Sequence, residues 1–161
     1  MEEVPLGVHI IQAGLCLREG MFINGILTNS EVWYGLHDKD IIELEKVDEY
    51  LLRKILNAHS KTPIESLYLE TGSIPLRFII KNRRISYLHH LLTRNENELI
   101  SKVYFSQKRK PQKDDWALTV ENDMNDIKLD ITENSIKLMK KIKFKKLVKE
   151  KIRKATLNYL K

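Results

Sequence analysis

Apolar positions recur at helical spacing along most of the chain, most clearly over residues 38–58, DKDIIELEKVDEYLLRKILNA. Laid out at about 100° per residue, Ile41, Leu44, Val47, Leu51, Leu52, Ile55 and Leu56 form one broad face. Asp38 stands where an N-cap is wanted. Acids crowd the early turns (Asp40, Glu43, Glu45), and Arg53 and Lys54 close the last, which suits the helix dipole. The pattern makes this the helix against which the other segments pack. Asp48 breaks it by falling inside the apolar arc. A carboxylate there must find a partner or solvent, because burying it alone is very costly.

The remaining segments also read as helices. Residues 8–28 carry Ile10, Ile11, Leu15, Leu17, Met21, Phe22, Ile26 and Leu27 on nearly all sides, and their glycines predict close helix approach or a break near Gly20. Residues 29–36, NSEVWYGL, form a short helix or connector that brings Trp33 and Tyr34 to the long helix. Thr62, Pro63 and Glu65 mark a helix start with Thr62 as N-cap, and Gly72 sits where a left-handed cap ends it. Residues 75–94 are apolar over most of their circumference, which means burial on several sides. Residues 96–109 present Leu99, Ile100, Val103, Tyr104 and Phe105 and stop before Pro111; Asp114 then caps residues 115–127. From Thr132 onward Ile136, Met139, Ile142, Phe144, Leu147, Val148, Ile152, Ala155 and Tyr159 keep a helical period, as one helix or two with a bend near Lys143. The expected fold is all-α: a single bundle of about six to seven helices. Residues 1–129 form its helical domain and residues 130–161 a basic amphipathic helical tail.

Composition agrees with this and narrows the chemistry. The 161 residues are 42% hydrophobic and 31% charged, with only six Gly and four Pro, as in a globular helical chain. The lone Cys16 can make neither an internal disulfide nor a thiolate zinc site, and the five histidines lack metal-ligand spacing. No GxGxxG or Walker pattern is present, so no cofactor is expected. No apolar run approaches the roughly 20 residues that span a bilayer, and the start lacks a secretory pattern. The expected location is intracellular, nuclear or cytoplasmic. Net charge is +6 but uneven. Residues 137–161 hold eleven Lys/Arg against one acid, Glu150, a balance of +10; seventeen bases and twenty-one acids elsewhere give −4. A basic segment on a mildly acidic body points to a polyanionic partner.

Three clusters could contact phosphates. On residues 75–94, Arg77, Lys81 and Arg84 align at i, i+4 and i+7; either acids such as Glu45 or Asp48 neutralise them or they form a phosphate-contacting row. Lys108, Arg109, Lys110 and Lys113 make a basic turn around Pro111. The last helix carries Lys140, Lys141, Lys145, Lys146, Lys149, Arg153 and Lys154, as a solvated face or a polyanion-binding one. His89 and His90 are the remaining acid–base candidates, but no nucleophile or acid is placed beside them. Asp114 and Asp115 read as capping residues rather than paired metal ligands.

Taken together, SEVWYGL (residues 30–36), LEKVDEYLLRKIL (44–56), ESLYLETGSIPLRFII (65–80), RRISYLHHLL (83–92) and DDWALTVENDM (114–124) resemble the region after the polymerase core in reverse transcriptases of non-LTR (LINE-type) retrotransposons. The resemblance covers roughly residues 15–127 and rests on order and spacing. It implies a helical, thumb-adjacent domain that holds RNA template or primer–template, with the rest of a polymerase as a possible partner. The catalytic motif of those enzymes, an aromatic and a small residue before two aspartates, is absent here, as is a CCHC zinc knuckle. The expectation is a non-catalytic nucleic-acid-binding domain. The alternative is a helical protein–protein interaction domain that docks a polymerase or another partner.

Overall fold

The structure is a computed structural model that describes residues 6–33 and 36–161; among them every regular element is helical and there is no strand. Eight α-helices have six residues or more. The first, α1 (Leu6–Leu17), passes through a π-helical turn (Arg18–Ile23) into the single turn α2 (Asn24–Ile26), and a 3-10 turn follows at Ser30–Val32. The expected break near Gly20 is this π turn. Its extra residue per turn rotates the helix face so that both Arg18 and Ile23 are buried. Trp33 packs on Ile23, Leu27, Leu76 and Ile80, whereas Tyr34 lies outside the described residues.

Then come α3 (Asp38–Ile55), α4 (Ile64–Thr71), α5 (Leu76–Leu92), α6 (Leu99–Arg109), α7 (Trp116–Asp126), α8 (Glu133–Leu138) and α9 (Lys141–Tyr159). The axis of the bundle is α5, not α3 as the sequence pattern had it. It touches α3, α6, α7, α8 and α9 and buries residues around its whole circumference, from Leu76 and Ile80 to Ile85, Leu88 and Leu92. On α3 the buried residues are Ile41, Glu45, Asp48 and Leu52, while Val47 from the predicted apolar face is exposed. The helix is rolled toward its acids because both of them find arginines inside.

The main core joins Ile85, Leu88 and Leu92 of α5 to Val120 of α7, Ile136 of α8 and Phe144, Val148 and Ile152 of α9. The basic segment beyond residue 130 packs onto the helices before it, and its apolar stripe fills the centre of the principal core. The bend expected near Lys143 falls at Met139 and Lys140, both extended at ψ 136°. The carbonyl of Met139, which leaves the helix there, lies 2.8 Å from His89 Nε2, and the His89 ring stacks on Phe144 at 5.2 Å. His89 thus ties α5 to the α8–α9 junction.

Helix boundaries shift by about one residue from the sequence reading. His37, Pro63 and Asp115 occupy the N-cap positions in place of Asp38, Thr62 and Asp114, because each has an extended ψ that holds it outside the helix. Thr132, where the last helical period begins, is the N-cap of α8, its hydroxyl accepting from the Ser135 N–H at 3.3 Å. Gly72 ends α4 at φ +62° with open space where a Cβ would sit. Only backbone strain opposes a side chain there, so Gly72→Ala is expected to destabilise by about 1 kcal/mol in urea unfolding.

Candidate nucleic-acid interface

The ladder on α5 is neutralised from within. Arg77 grips Glu45 of α3 at 2.5–3.0 Å and lies over the Tyr159 ring, 5.0 Å from its centroid; the Glu45 carboxylate holds the guanidinium further toward its charged form. Arg84 pairs with both oxygens of Asp123 on α7 at 2.6 and 3.0 Å, and both side chains are almost fully buried. Lys81 bridges to Asp126 and lies 3.9 Å from Asp123. Burial pushes the Asp123 carboxyl above the usual carboxylate range, against the pull of Arg84 and Lys81. Each of the three expected phosphate contacts, Arg77, Lys81 and Arg84, is therefore paired with a carboxylate of the chain itself. They clamp α5 to α3 and α7 because their charges are already answered by carboxylates.

Asp48 pairs with neither Arg77 nor Arg84. Its oxygens meet Nε and Nη2 of Arg18, both at 2.5 Å, and Tyr68 of α4 donates its hydroxyl at 3.0 Å. Arg18 sits 30 residues away on the π turn, and no sequence periodicity links it to Asp48. Burial and the neighbouring Asp48 charge push the Tyr68 phenol far up.

The basic face of α9 is different. Phe144, Val148, Ile152 and Thr156, spaced four apart, point into the body. One position along, Lys141, Lys145, Lys149 and Arg153 form a parallel exposed ridge, each about 6 Å further along the axis. Lys140, Lys143 and Lys146 are exposed beside it. Among the described residues none of these seven makes an ion pair. Lys154, the other α9 cation expected to contact phosphate, is paired with Glu150 at 2.6 Å, and Lys137 is paired with Glu96 at 2.9 Å. Lys151 gives its ammonium to the Lys128 carbonyl. An amphipathic period has thus put apolar residues in the core and left a row of uncompensated charge outside.

At the α6–α7 turn, Lys108 is taken by Glu133 at 2.6 Å, which also accepts from the Tyr104 hydroxyl at 2.6 Å. Burial alone would raise the Glu133 carboxyl, but these two hydrogen bonds and the Lys108 charge hold it below the usual range. Arg109, Lys110 and Lys113 are exposed and, among the described residues, make no ion pair. Two further cations were not anticipated. Lys143 belongs to the α9 face, and among the described residues Arg83 of α5 donates only to uncharged acceptors, the Leu27 carbonyl, Ser30 Oγ and Asn24 Oδ1. Arg83 adjoins Arg84 in sequence, and nothing in the sequence distinguishes the one that is neutralised from the one that is not.

Among the described residues, no three His, Cys, Asp or Glu side chains gather in a way that could hold a metal ion, and no helix is long and apolar enough to cross a membrane. Compared with known proteins, the chain matches no family model, no curated protein and no solved structure.

Proposed function

We propose that this chain is a non-catalytic nucleic-acid-binding helical domain that holds RNA template or primer–template along the outer face of α9. The observation that carries this reading is the ridge Lys141, Lys145, Lys149 and Arg153, flanked by Lys140, Lys143 and Lys146. It is anchored through its reverse side in the core and lacks neutralising acids among the described residues. A rigid row of cations displaces counterions from phosphates without reading base sequence, so binding is sequence-blind and steeply salt-dependent. The resemblance to the post-polymerase region of LINE-type reverse transcriptases supplies an origin for such a domain and names the rest of a polymerase as its companion.

The test is a titration of short single-stranded RNA and of primer–template duplex at low and moderate salt. Changing Lys145, Lys149 and Arg153 together to Gln is expected to weaken binding and to reduce the magnitude of the salt slope by about 2–3, since each contacted phosphate contributes about 0.7–0.9. Stability should move by less than about 0.5 kcal/mol per position, because the three side chains are exposed. Salt-insensitive binding, or a variant that binds as the parent does, would end this reading.

One observation favours the second reading, a docking domain for a protein partner: Val8, Ile10, Leu17 and Met21 of the first helical rod are exposed at 48%, 63%, 59% and 73%. Under that reading the same titration shows no salt-dependent RNA binding.

A further inference from the structure

Between α5 and the start of α9 lies a shallow basin of about 440 Å³, and its walls carry Arg83, Ser86, Tyr87 and His90 from α5 and Lys141 and Lys145 from α9. We propose that this basin grips one backbone phosphate of the bound nucleic acid, and that His90, drawn into the contact by that phosphate, makes the grip tighten as pH falls. The inference rests on the nucleic-acid reading above and names the place and the chemistry of one contact within it.

The basin is built for an oxyanion. Arg83 is held in position by the Asn24 side chain at 2.9 Å and by the Leu27 carbonyl, so it is fixed while its charge remains unanswered. Lys141 and Lys145 begin the α9 ridge, so a strand lying along that ridge runs into the basin. Ser86 and Tyr87 complete the α5 side of the wall. The carboxylate lining it is Glu31, on the 3-10 turn. Glu98, which also faces His90, is engaged by Arg94 at 2.7 Å. Around His90 the census is four cations, Arg83, Arg94, Lys141 and Lys145, against Glu31 and Glu98, with His89 behind it on the same helix.

The His90 ring sits at the centre of this excess. Its Nε2 accepts from Arg94 Nε at 3.0 Å, and its ring lies 5.6 Å from that of Tyr87. Burial first, then Arg94 and Lys141, push the imidazole below its ordinary value, with Glu98 opposing them. Without a ligand His90 is neutral near pH 7, and to protonate it Arg94 must release Nε2. A phosphate in the basin reverses the balance: it offsets Arg94 and Lys141 and accepts the new N–H. Binding then takes up a proton. A phosphodiester has no proton of its own to exchange in this range, so uptake within the basin falls to His90, the histidine that lines it. By linkage, affinity rises as pH falls from the raised value in the complex to the lowered value in the free protein.

The experiment measures binding of short single-stranded RNA between about pH 7.5 and 5.5 at fixed salt, with the His90 ring followed by NMR. The parent is expected to bind about 5–10-fold tighter at the acid end, and His90→Gln to change by less than about 2-fold, with the ring pKa rising by about one unit when RNA is added. An equal pH response in His90→Gln, or a ring pKa indifferent to RNA, overturns the inference while salt-dependent binding leaves the α9 reading intact. If RNA does not bind at all, the α9 reading fails and pyrophosphate becomes the probe. A His90 signal that pyrophosphate shifts, and that Lys141→Gln with Lys145→Gln abolishes, supports the basin as a phosphate site; no shift overturns it.

Discussion

Asp48→Ala is expected to lower stability by about 3–5 kcal/mol, a fall of about 10 °C in Tm for a chain of this size. The partner it strands, Arg18, has a side chain only 1% exposed, and Asp48 itself is at 0%. A guanidinium left there has lost both its carboxylate contacts and has no route to water. Tyr68 loses its acceptor at the same stroke. The pair is not thereby a large net source of stability, since taking two charges out of water nearly cancels their attraction. The double change Arg18→Met with Asp48→Leu is therefore expected to recover most of the loss. Urea unfolding of the three variants separates the cases. A single variant that loses less than about 1 kcal/mol, or a double as unstable as the single, would show that the buried charge is not what holds the π turn, α3 and α4 together.

Phe144→Ala is expected to cost about 3–5 kcal/mol, the range for emptying an aromatic site in a packed core. Phe144 is 0% exposed, in the cluster that joins α5, α7, α8 and α9, and its ring stacks on His89. Its neighbour gives the contrast. Lys145→Gln is expected to leave stability unchanged within about 0.5 kcal/mol while weakening polyanion binding. Two adjacent substitutions on one helix thus separate folding from binding, because successive residues lie about 100° apart around the axis. Near-normal unfolding of Phe144→Ala would show α9 to be an appendage to a core that stands without it.

Charge on this molecule has two distinct uses. The buried pairs Arg18–Asp48 and Arg84–Asp123, with the partly exposed Arg77 on Glu45, fasten helices that are distant in sequence, and each arginine donates two or more hydrogen bonds to its carboxylate. Such pairs fix register as well as orientation, because a mismatched packing would bury one charge alone. Outside, the α9 ridge keeps its charge in solvent. The buried cations are arginines with planar forks, whereas the ridge is mostly lysine, whose compact, well-hydrated ammonium suits loose contact with phosphate.

The sequence by itself determined the helical class, the amphipathic period of α9, the Gly72 stop and the excess of positive charge near the end of the chain. These are local matters: periodicity, capping chemistry and composition act within a few residues. It also exposed Asp48 as an anomaly that needed a partner. Only the tertiary structure decided which partner. Arg18, Arg77 and Arg84 are equivalent to any local rule, and the choice among them depends on how three helices approach one another. The same holds for the α5 ladder, regular in sequence and internally neutralised in space, and for α6, where apolar Leu99 and Val103 are exposed at 78% and 48% while Ser101 is buried at 1%. A period says that a helix has two faces; which face is turned inward is settled by the neighbours it meets.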